Sequence, residues 1–211
     1  MDARQQSRGE ELANSLSHGL VLLAGLVVLP YLLWVSPLDR GPAFAGVLVF
    51  VCTMLLLYLT STLYHALPQG RAKQIALRLD YAAIFLFIAG SYTPFALGIP
   101  GGAPDWWLLA LVWSLAIAGT LLKALGYLSR AGWSTGLYLA LGWLVLMAAL
   151  PLLSHLSGPG VAWLVSGGLA YSVGVVFFAL DTRVRFAHSV WHGFVAAGTG
   201  CHLLVVLGIA A

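Results

Sequence analysis

Seven long apolar runs fill almost the whole chain and limit what it can fold into. Each run is close to the ~20 residues that a helix needs to cross the hydrocarbon core of a bilayer. Only 8% of the 211 residues are charged, against about a quarter in soluble domains. We therefore predict an all-α membrane protein, a seven-transmembrane helix bundle that forms a single domain over residues 1–211. The predicted spans are 16–35, 43–65, 79–99, 106–125, 133–154, 161–180 and 188–210.

The placement of basic residues predicts how the bundle is oriented. One set, at the N-terminus and around the loops after spans two, four and six, comprises Arg4, Arg8, Arg71, Lys73, Arg78, Lys123, Arg130, Arg183 and Arg185. The loops on the other side contain only Arg40. Because cytoplasmic loops are enriched in Lys and Arg, we expect a cytoplasmic N-terminus and a C-terminus outside. This orientation is the reverse of a G-protein-coupled receptor, and span seven has no lysine to bind retinal as in a microbial rhodopsin.

With that topology, the ionisable residues of four spans fall at one level of the membrane. Span two ends at His65, span three begins with Asp80, and span seven begins with His188 and His192. His18 lies near the start of span one. Because a helical turn rises about 5.4 Å, all of these lie within one or two turns of the cytoplasmic side. An ionisable residue inside a membrane is costly and often functional.

Two histidines four residues apart on a helix lie on one face, and they can bind one metal ion together. His188 and His192 have this spacing, and His65 supplies a third imidazole. An open catalytic zinc site uses three protein nitrogens and leaves a fourth position for water. We therefore predict Zn²⁺ as the cofactor, although iron, nickel or copper accept the same ligands. The alternative is that the histidines only form hydrogen bonds between helices.

Three other residues and Asp80 have candidate roles beside such a site. Asp80 would either coordinate the metal or hold a water and take its proton. Ser61 lies one turn before His65 and would hold the water or a substrate oxygen. His18 and Asn14 would orient the ligands from outside the metal's coordination sphere. For Ser61 and Asn14 the alternative is a helix-packing hydrogen bond, which is common in membranes.

Four motifs spread over the whole chain resemble one known family. They are Glu11-Leu-Ala-Asn14-Ser-Leu-Ser-His18, Ser61-Thr-Leu-Tyr-His65, Leu79-Asp80 with Ile88-Ala-Gly-Ser-Tyr-Thr-Pro-Phe95, and His188-Ser-Val-Trp-His192. Together they resemble the bacterial haemolysin III branch of the progestin and adipoQ receptor family, which includes the adiponectin receptors. The resemblance implies seven helices with the N-terminus inside. One departure is Ala83, where receptor members often have glycine.

The same resemblance implies a set of site residues. The metal ligands would be His65, His188 and His192, with Asp80 and Ser61 beside the ion. The adiponectin receptors are associated with ceramidase activity. The chain would then be a multi-pass protein of a bacterial cytoplasmic membrane, with membrane lipids and a lipid substrate as its partners and no nucleic acid. The sequence leaves the oligomeric state open.

Three kinds of function follow from these observations. The first is a ceramidase-like zinc hydrolase, in which water attacks the carbonyl of a lipid amide or ester and Asp80 moves the proton. The second is a sensor or regulator of membrane state, in which zinc only holds helices together. A pore-forming haemolysin ranks below both, because the sequence has no amphipathic channel-lining stripe.

Overall fold

The computed structural model describes residues 4–35, 41–97, 104–128, 131–148 and 156–210. These residues form seven helices and, in the ranges just given, no β-strand. The prediction of an all-α bundle is therefore confirmed, while the predicted ends of span three at 98–99 and span five at 149–154 lie outside the described residues. The helices are α1 (Arg8–Val35), α2 (Pro42–Ala66), α3 (Arg71–Leu97), α4 (Trp106–Ala124), α5 (Ala131–Ala148), α6 (Gly158–Leu180) and α7 (Ala187–Ala210).

Six of the seven helices are long and apolar enough to cross a membrane. The exception is α5, which has 18 described residues and is not among them. The structure therefore has the seven predicted helices, and six of them have the length and hydropathy of a membrane span within the described residues. Large apolar side chains such as Leu20, Val27 and Trp107 are more than half exposed, as expected of residues that face lipid.

Two helices begin well before the apolar runs that predicted them. Helix α1 begins at Arg8 and α3 at Arg71, whereas the apolar runs begin at residues 16 and 79. The α1 extension has a capping box: the Ser7 hydroxyl accepts from the Glu10 N–H at 3.4 Å, and the Glu10 carboxylate accepts from the Ser7 N–H at 2.9 Å. Hydropathy reports the lipid-buried part of a helix and not the polar turns that precede it. These extra turns place charged residues beside the site described below.

Helix α3 lies at the centre of the bundle and belongs to two apolar cores. One core joins it to α2, α6 and α7, and the other to α4 and α5. Helices α2 and α3 approach closely at two glycines. A Cβ atom at Gly46 would lie 2.6 Å from the Pro94 Cα, and one at Gly90 would lie 1.9 Å from Thr53 Oγ1. Small residues at such crossings allow helices to pack tightly in membranes.

Candidate metal centre

Three histidines meet where α2 ends and α7 begins. One nitrogen from each of His65, His188 and His192 lies within 4.8 Å of the other two. His188 and His192 are one turn apart on α7, and their ring centroids are 4.7 Å apart. The His65 ring lies 5.0 Å from that of His188 and 5.1 Å from that of His192. The three histidines are therefore close enough to hold one metal ion, and we call this end of the molecule the histidine end.

The Nδ1 atom of each histidine already has a partner from the protein. His65 Nδ1 donates to Glu11 Oε2 at 2.8 Å, and His188 Nδ1 donates to Asp181 Oδ2 at 2.8 Å. His192 Nδ1 donates to the Asn14 carbonyl at 3.2 Å and lies 2.9 Å from the Ser17 hydroxyl. Each ring is thereby fixed with Nε2 left for a ligand, as in known histidine metal sites.

The fit of a metal ion is supported by one nitrogen in particular. His65 Nε2 is buried and has no hydrogen-bond partner within the protein. Buried polar atoms are nearly always hydrogen-bonded, so a buried imidazole nitrogen without a partner calls for an explanation. A metal ion bound by the three Nε2 atoms would give it a partner. The donor set, neutral imidazoles backed by carboxylates and a carbonyl, suits such an ion.

Glu11 is itself held by a buried cation. Lys73 Nζ lies 3.0 Å from Glu11 Oε1 and donates to the carbonyls of Tyr64 at 2.8 Å and Leu67 at 3.2 Å. The Lys73 residue is only 5% exposed. Glu11 thus bridges a candidate ligand, His65, and a buried lysine, which fixes the carboxylate on both sides. Sequence reasoning did not assign a role to Lys73 or to Glu11.

Ser61, Asp80 and His18 form a second group next to the three histidines. His18 Nδ1 lies 2.8 Å from Ser61 Oγ, and Asp80 lines the same cavity as these two residues. The His18 ring stacks on the His192 ring with centroids 3.5 Å apart. Asp80 is half-buried and stands outside the group of three nitrogens.

Asn14 connects helix α1 to helix α7. Its Oδ1 accepts from the Ser189 hydroxyl at 2.5 Å, and its Nδ2 donates to Gln6 Oε1 at 2.7 Å. The Asn14 residue is fully buried. Its backbone carbonyl also contacts His192. Asn14 therefore both forms a helix-packing hydrogen bond and supports a candidate ligand, the two roles that the sequence analysis set against each other.

A cavity of about 240 Å³ opens from the histidine end into the bundle. Its polar end is formed by Ser61, Asp80, His188 and His192. Beyond them the lining is mostly apolar and comes from α3, α5, α6 and α7, with Phe87, Leu139, Val165 and Val195 among its residues. His202 also lines the cavity, but its Nε2 contacts the Leu164 carbonyl at 3.2 Å and the residue is not part of the metal-binding group.

Two carboxylates at the site were missed by sequence reasoning. Glu11 contacts His65, and Asp181 contacts His188. A signal for Glu11 was present, because Glu11, Asn14 and His18 follow the i, i+3, i+7 spacing of one helical face. Asp181 lies in the loop before α7, seven residues ahead of His188. Helical periodicity does not reach across such a loop, so its position gave no signal.

The fold and the site define a helical, multi-pass membrane protein with three histidines placed to hold a metal ion. Residues 6–203 match the family described as Haemolysin-III related. The chain belongs to this family, and the resemblance inferred from the four motifs is confirmed.

Similar proteins come from bacteria and from mammals. The chain is 38% identical over 200 residues to the Hemolysin-3 homolog of Bacillus subtilis (strain 168), a match that covers 94% of this chain and 93% of the relative. It is also 38% identical to Hemolysin-3 of Bacillus cereus, over 94% of this chain and 90% of the relative. The human monocyte to macrophage differentiation factor is 30% identical over 159 residues, which cover 71% of this chain and 64% of that protein.

Proposed function

We propose that this protein is a zinc-dependent hydrolase that cleaves an amide or ester bond of a membrane lipid at the histidine end. The observation that carries the proposal is the cavity: His188 and His192, two members of the three-histidine group, line it, and its lining beyond them is mostly apolar. An ion that only cross-links helices needs no such space beside it. An open metal position next to an apolar cavity suits a substrate with a carbonyl at one end and hydrocarbon behind it.

Zinc would be held by Nε2 of His65, His188 and His192. Three imidazoles with a free position are the ligand set of catalytic zinc sites. The chemistry that a zinc ion supplies in such a site is Lewis acidity, which lowers the pKa of an adjacent water and polarises a carbonyl. The Glu11 and Asp181 carboxylates would keep His65 and His188 in the correct tautomer.

The remaining polar residues would handle the water and its protons. Asp80 would accept a proton as the water oxygen adds to the substrate carbonyl carbon, and would return it to the leaving nitrogen or oxygen as that bond breaks. Ser61, which lines the same end of the cavity as Asp80, would hold the attacking water or a substrate oxygen. His18 would in turn hold the Ser61 hydroxyl, since the two atoms lie 2.8 Å apart.

The substrate would be a lipid that enters from the membrane. Its hydrocarbon would lie in the apolar part of the cavity, between α3, α5, α6 and α7, with the scissile carbonyl beside Asp80. If the loop charges orient the bundle as predicted, the histidine end lies at the cytoplasmic headgroup level, where lipid amides and esters are found. The membrane lipids would therefore both surround the helices and supply the substrate.

The test is product formation in labelled water. Purified protein in lipid nanodiscs would be given N-acyl sphingosines, N-acyl ethanolamines and diacyl phospholipids in H₂¹⁸O, and released fatty acid would be analysed by mass spectrometry. We expect one ¹⁸O atom in the released carboxylate, loss of product after chelation, and its return when zinc is added. Zinc-loaded protein that releases no fatty acid from any of these lipids would contradict the proposal.

A second candidate function is a regulator of membrane state with a structural zinc ion. It is favoured by His18, whose Nε2 is buried without a hydrogen-bond partner and whose ring stacks on His192. A fourth imidazole that closed the coordination sphere would leave no position for water. X-ray absorption at the zinc edge distinguishes the two, since the hydrolase requires three histidine ligands plus an oxygen and the regulator requires four protein ligands.

A further inference from the structure

The N-terminal residues 4–10 make polar contacts with the loop that leads into α7, and we call them the N-terminal strap. Glu10 is only 2% exposed although it is a carboxylate near the start of the chain. Arg4 binds it through two hydrogen bonds of 2.7 Å, one from each terminal guanidinium nitrogen. The Glu10 carboxylate raises the pKa of Arg4. Such a two-pronged pair fixes geometry better than a single ionic contact does.

The strap holds the backbone of the loop between α6 and α7 at three points. Arg4 donates to the carbonyls of Asp181 at 3.1 Å and Val184 at 3.2 Å. Glu10 Oε1 accepts from the Phe186 N–H at 2.9 Å. Phe186 has a φ of 59°, in the left-handed region that a residue with a side chain seldom adopts. Glu10 therefore contacts the loop at the residue whose backbone conformation is unfavourable for a residue with a side chain.

The same loop determines where one candidate metal ligand lies. It begins with Asp181, whose carboxylate contacts His188 Nδ1 at 2.8 Å, and it ends at Phe186, two residues before His188. A second connection runs from the strap through Gln6 and Asn14 to Ser189, with distances of 2.7 and 2.5 Å. The strap thus contacts Asp181, the support of His188, directly, and it reaches Ser189, the residue after His188, through Asn14.

From these contacts we infer that Arg4 and Glu10 are positioning residues for the metal centre: by fixing the loop from Asp181 to Phe186, they hold the His188 imidazole in the three-histidine group. This inference rests on the proposed metal site, but it does not depend on whether the bound ion is catalytic. The strap lies outside the apolar spans, so its side chains can be changed while the bundle is kept.

The matched pair of variants is Arg4→Ala and Arg8→Ala. Both remove one positive charge from the strap, but Arg8 is exposed and its side chain forms no hydrogen bond or ion pair with another described residue. Glu10→Gln is the second test variant, because it keeps the shape of the side chain and removes its charge. All would be purified without metal, and hydrogen–deuterium exchange would be measured over residues 181–187. Titration with Co²⁺ would then follow the absorption bands that the ion shows when bound by protein nitrogens.

We expect Arg4→Ala and Glu10→Gln to exchange faster over residues 181–187, and Arg8→Ala to match the wild type. We also expect Co²⁺ to bind on the order of 10-fold more weakly to the two test variants, the scale found for residues that support metal ligands. Unchanged exchange, or faster exchange with unchanged Co²⁺ affinity, would overturn the inference. Wild-type protein that binds no Co²⁺ would overturn the metal site itself, which separates the two failures.

Discussion

Two polar clusters lie next to each other at the histidine end, and they differ in whether their buried atoms are paired. The first, the histidine cluster, contains the three candidate ligands with His18, Ser61 and Asp80. The second, the lysine cluster, lies between α3, α4 and α5. In it Lys123 donates to the Leu128 carbonyl at 2.8 Å and to Ser134 Oγ at 3.0 Å, and its ammonium lies 4.2 Å from the centre of the Tyr81 ring. Tyr138 completes it by donating to the Tyr81 carbonyl at 2.8 Å.

In the lysine cluster, no buried side-chain nitrogen or oxygen lacks a hydrogen-bond partner. In the histidine cluster, His18 Nε2 and His65 Nε2 are both buried without one. Native proteins leave few buried polar atoms unpaired, because each costs stability. The comparison teaches that burial of polar groups alone does not mark a functional site. Imidazole nitrogens close enough to share one ion, one of them buried without a partner, are the stronger sign. The two clusters should therefore respond differently to mutation.

The largest effect is expected at Asp80. Asp80→Asn should lower the rate of lipid hydrolysis about 10²- to 10⁴-fold, the usual scale for loss of a proton-transferring group. Zinc content should stay at the wild-type level, because the three histidines remain. The control is Asp105→Asn, which removes a carboxylate that caps α4 far from the site by accepting from the Leu108 N–H at 2.9 Å. Equal hydrolysis rates in the two variants would refute the role of Asp80.

The next largest effect is expected at the carboxylates that support the ligands. Glu11→Gln and Asp181→Asn should each weaken zinc binding about 10- to 100-fold, because a neutral amide replaces the charged acceptor that orients the ring and raises the basicity of His65 or His188. Competition with a fluorescent chelator measures the dissociation constants. Asp105→Asn is again the control and should bind zinc as the wild type does. If the two supporting carboxylates can be changed without loss of affinity, the histidine rings are fixed by other contacts.

A smaller effect, of a different kind, is expected in the lysine cluster. Lys123→Met should lower the free energy of unfolding by about 1–2 kcal/mol, because the Leu128 carbonyl and Ser134 lose a charged donor. Zinc affinity should not change. Reversible unfolding in mixed detergent–SDS micelles gives the stability, and the chelator competition gives the affinity. A large loss of zinc affinity in this variant would show that the clusters are coupled.

The smallest effect is expected at Tyr138. Tyr138→Phe removes one hydroxyl that donates to the Tyr81 carbonyl, and should lower stability by about 0.5–1 kcal/mol, the typical value for one such bond in a membrane protein. The same micelle unfolding experiment measures it. Tyr81 directly follows Asp80 in the sequence. A loss of stability well above this range would therefore mean that the Tyr138 hydroxyl also helps to hold the backbone beside Asp80.

The level of each polar residue in the membrane could be predicted from the sequence. Seven alternating spans and a rise of about 1.5 Å per residue bring the end of α2 and the starts of α1, α3 and α7 together. That is enough to bring His65 near His188 and His192, as the structure has them. The apolar runs did not reveal the helical extension that contains Glu11, because charged turns outside the membrane have no hydropathy signal.

Other features depend on tertiary packing and left no trace in the sequence pattern. The cavity exists because side chains from α3, α5, α6 and α7 do not fill the space between these helices, which is a property of their arrangement. The contact between Arg4 and the loop before α7 joins residues that are 177 positions apart. The Ser7 and Glu10 capping box is a local motif that the sequence contains. The contact of Glu10 with Phe186, 176 positions away, has no such local pattern.

The central claim is that three histidines bind one metal ion, and elemental analysis of the purified protein tests it most directly. Wild type would be compared with His65→Ala, His188→Ala and His192→Ala, and with His202→Ala as the control for loss of a half-buried histidine outside the group. All would be prepared without chelating resins or buffers. We predict one zinc ion per chain in wild type and His202→Ala, and less than a tenth of that in the other three. Equal zinc content in all five proteins, or none in the wild type, would contradict the account.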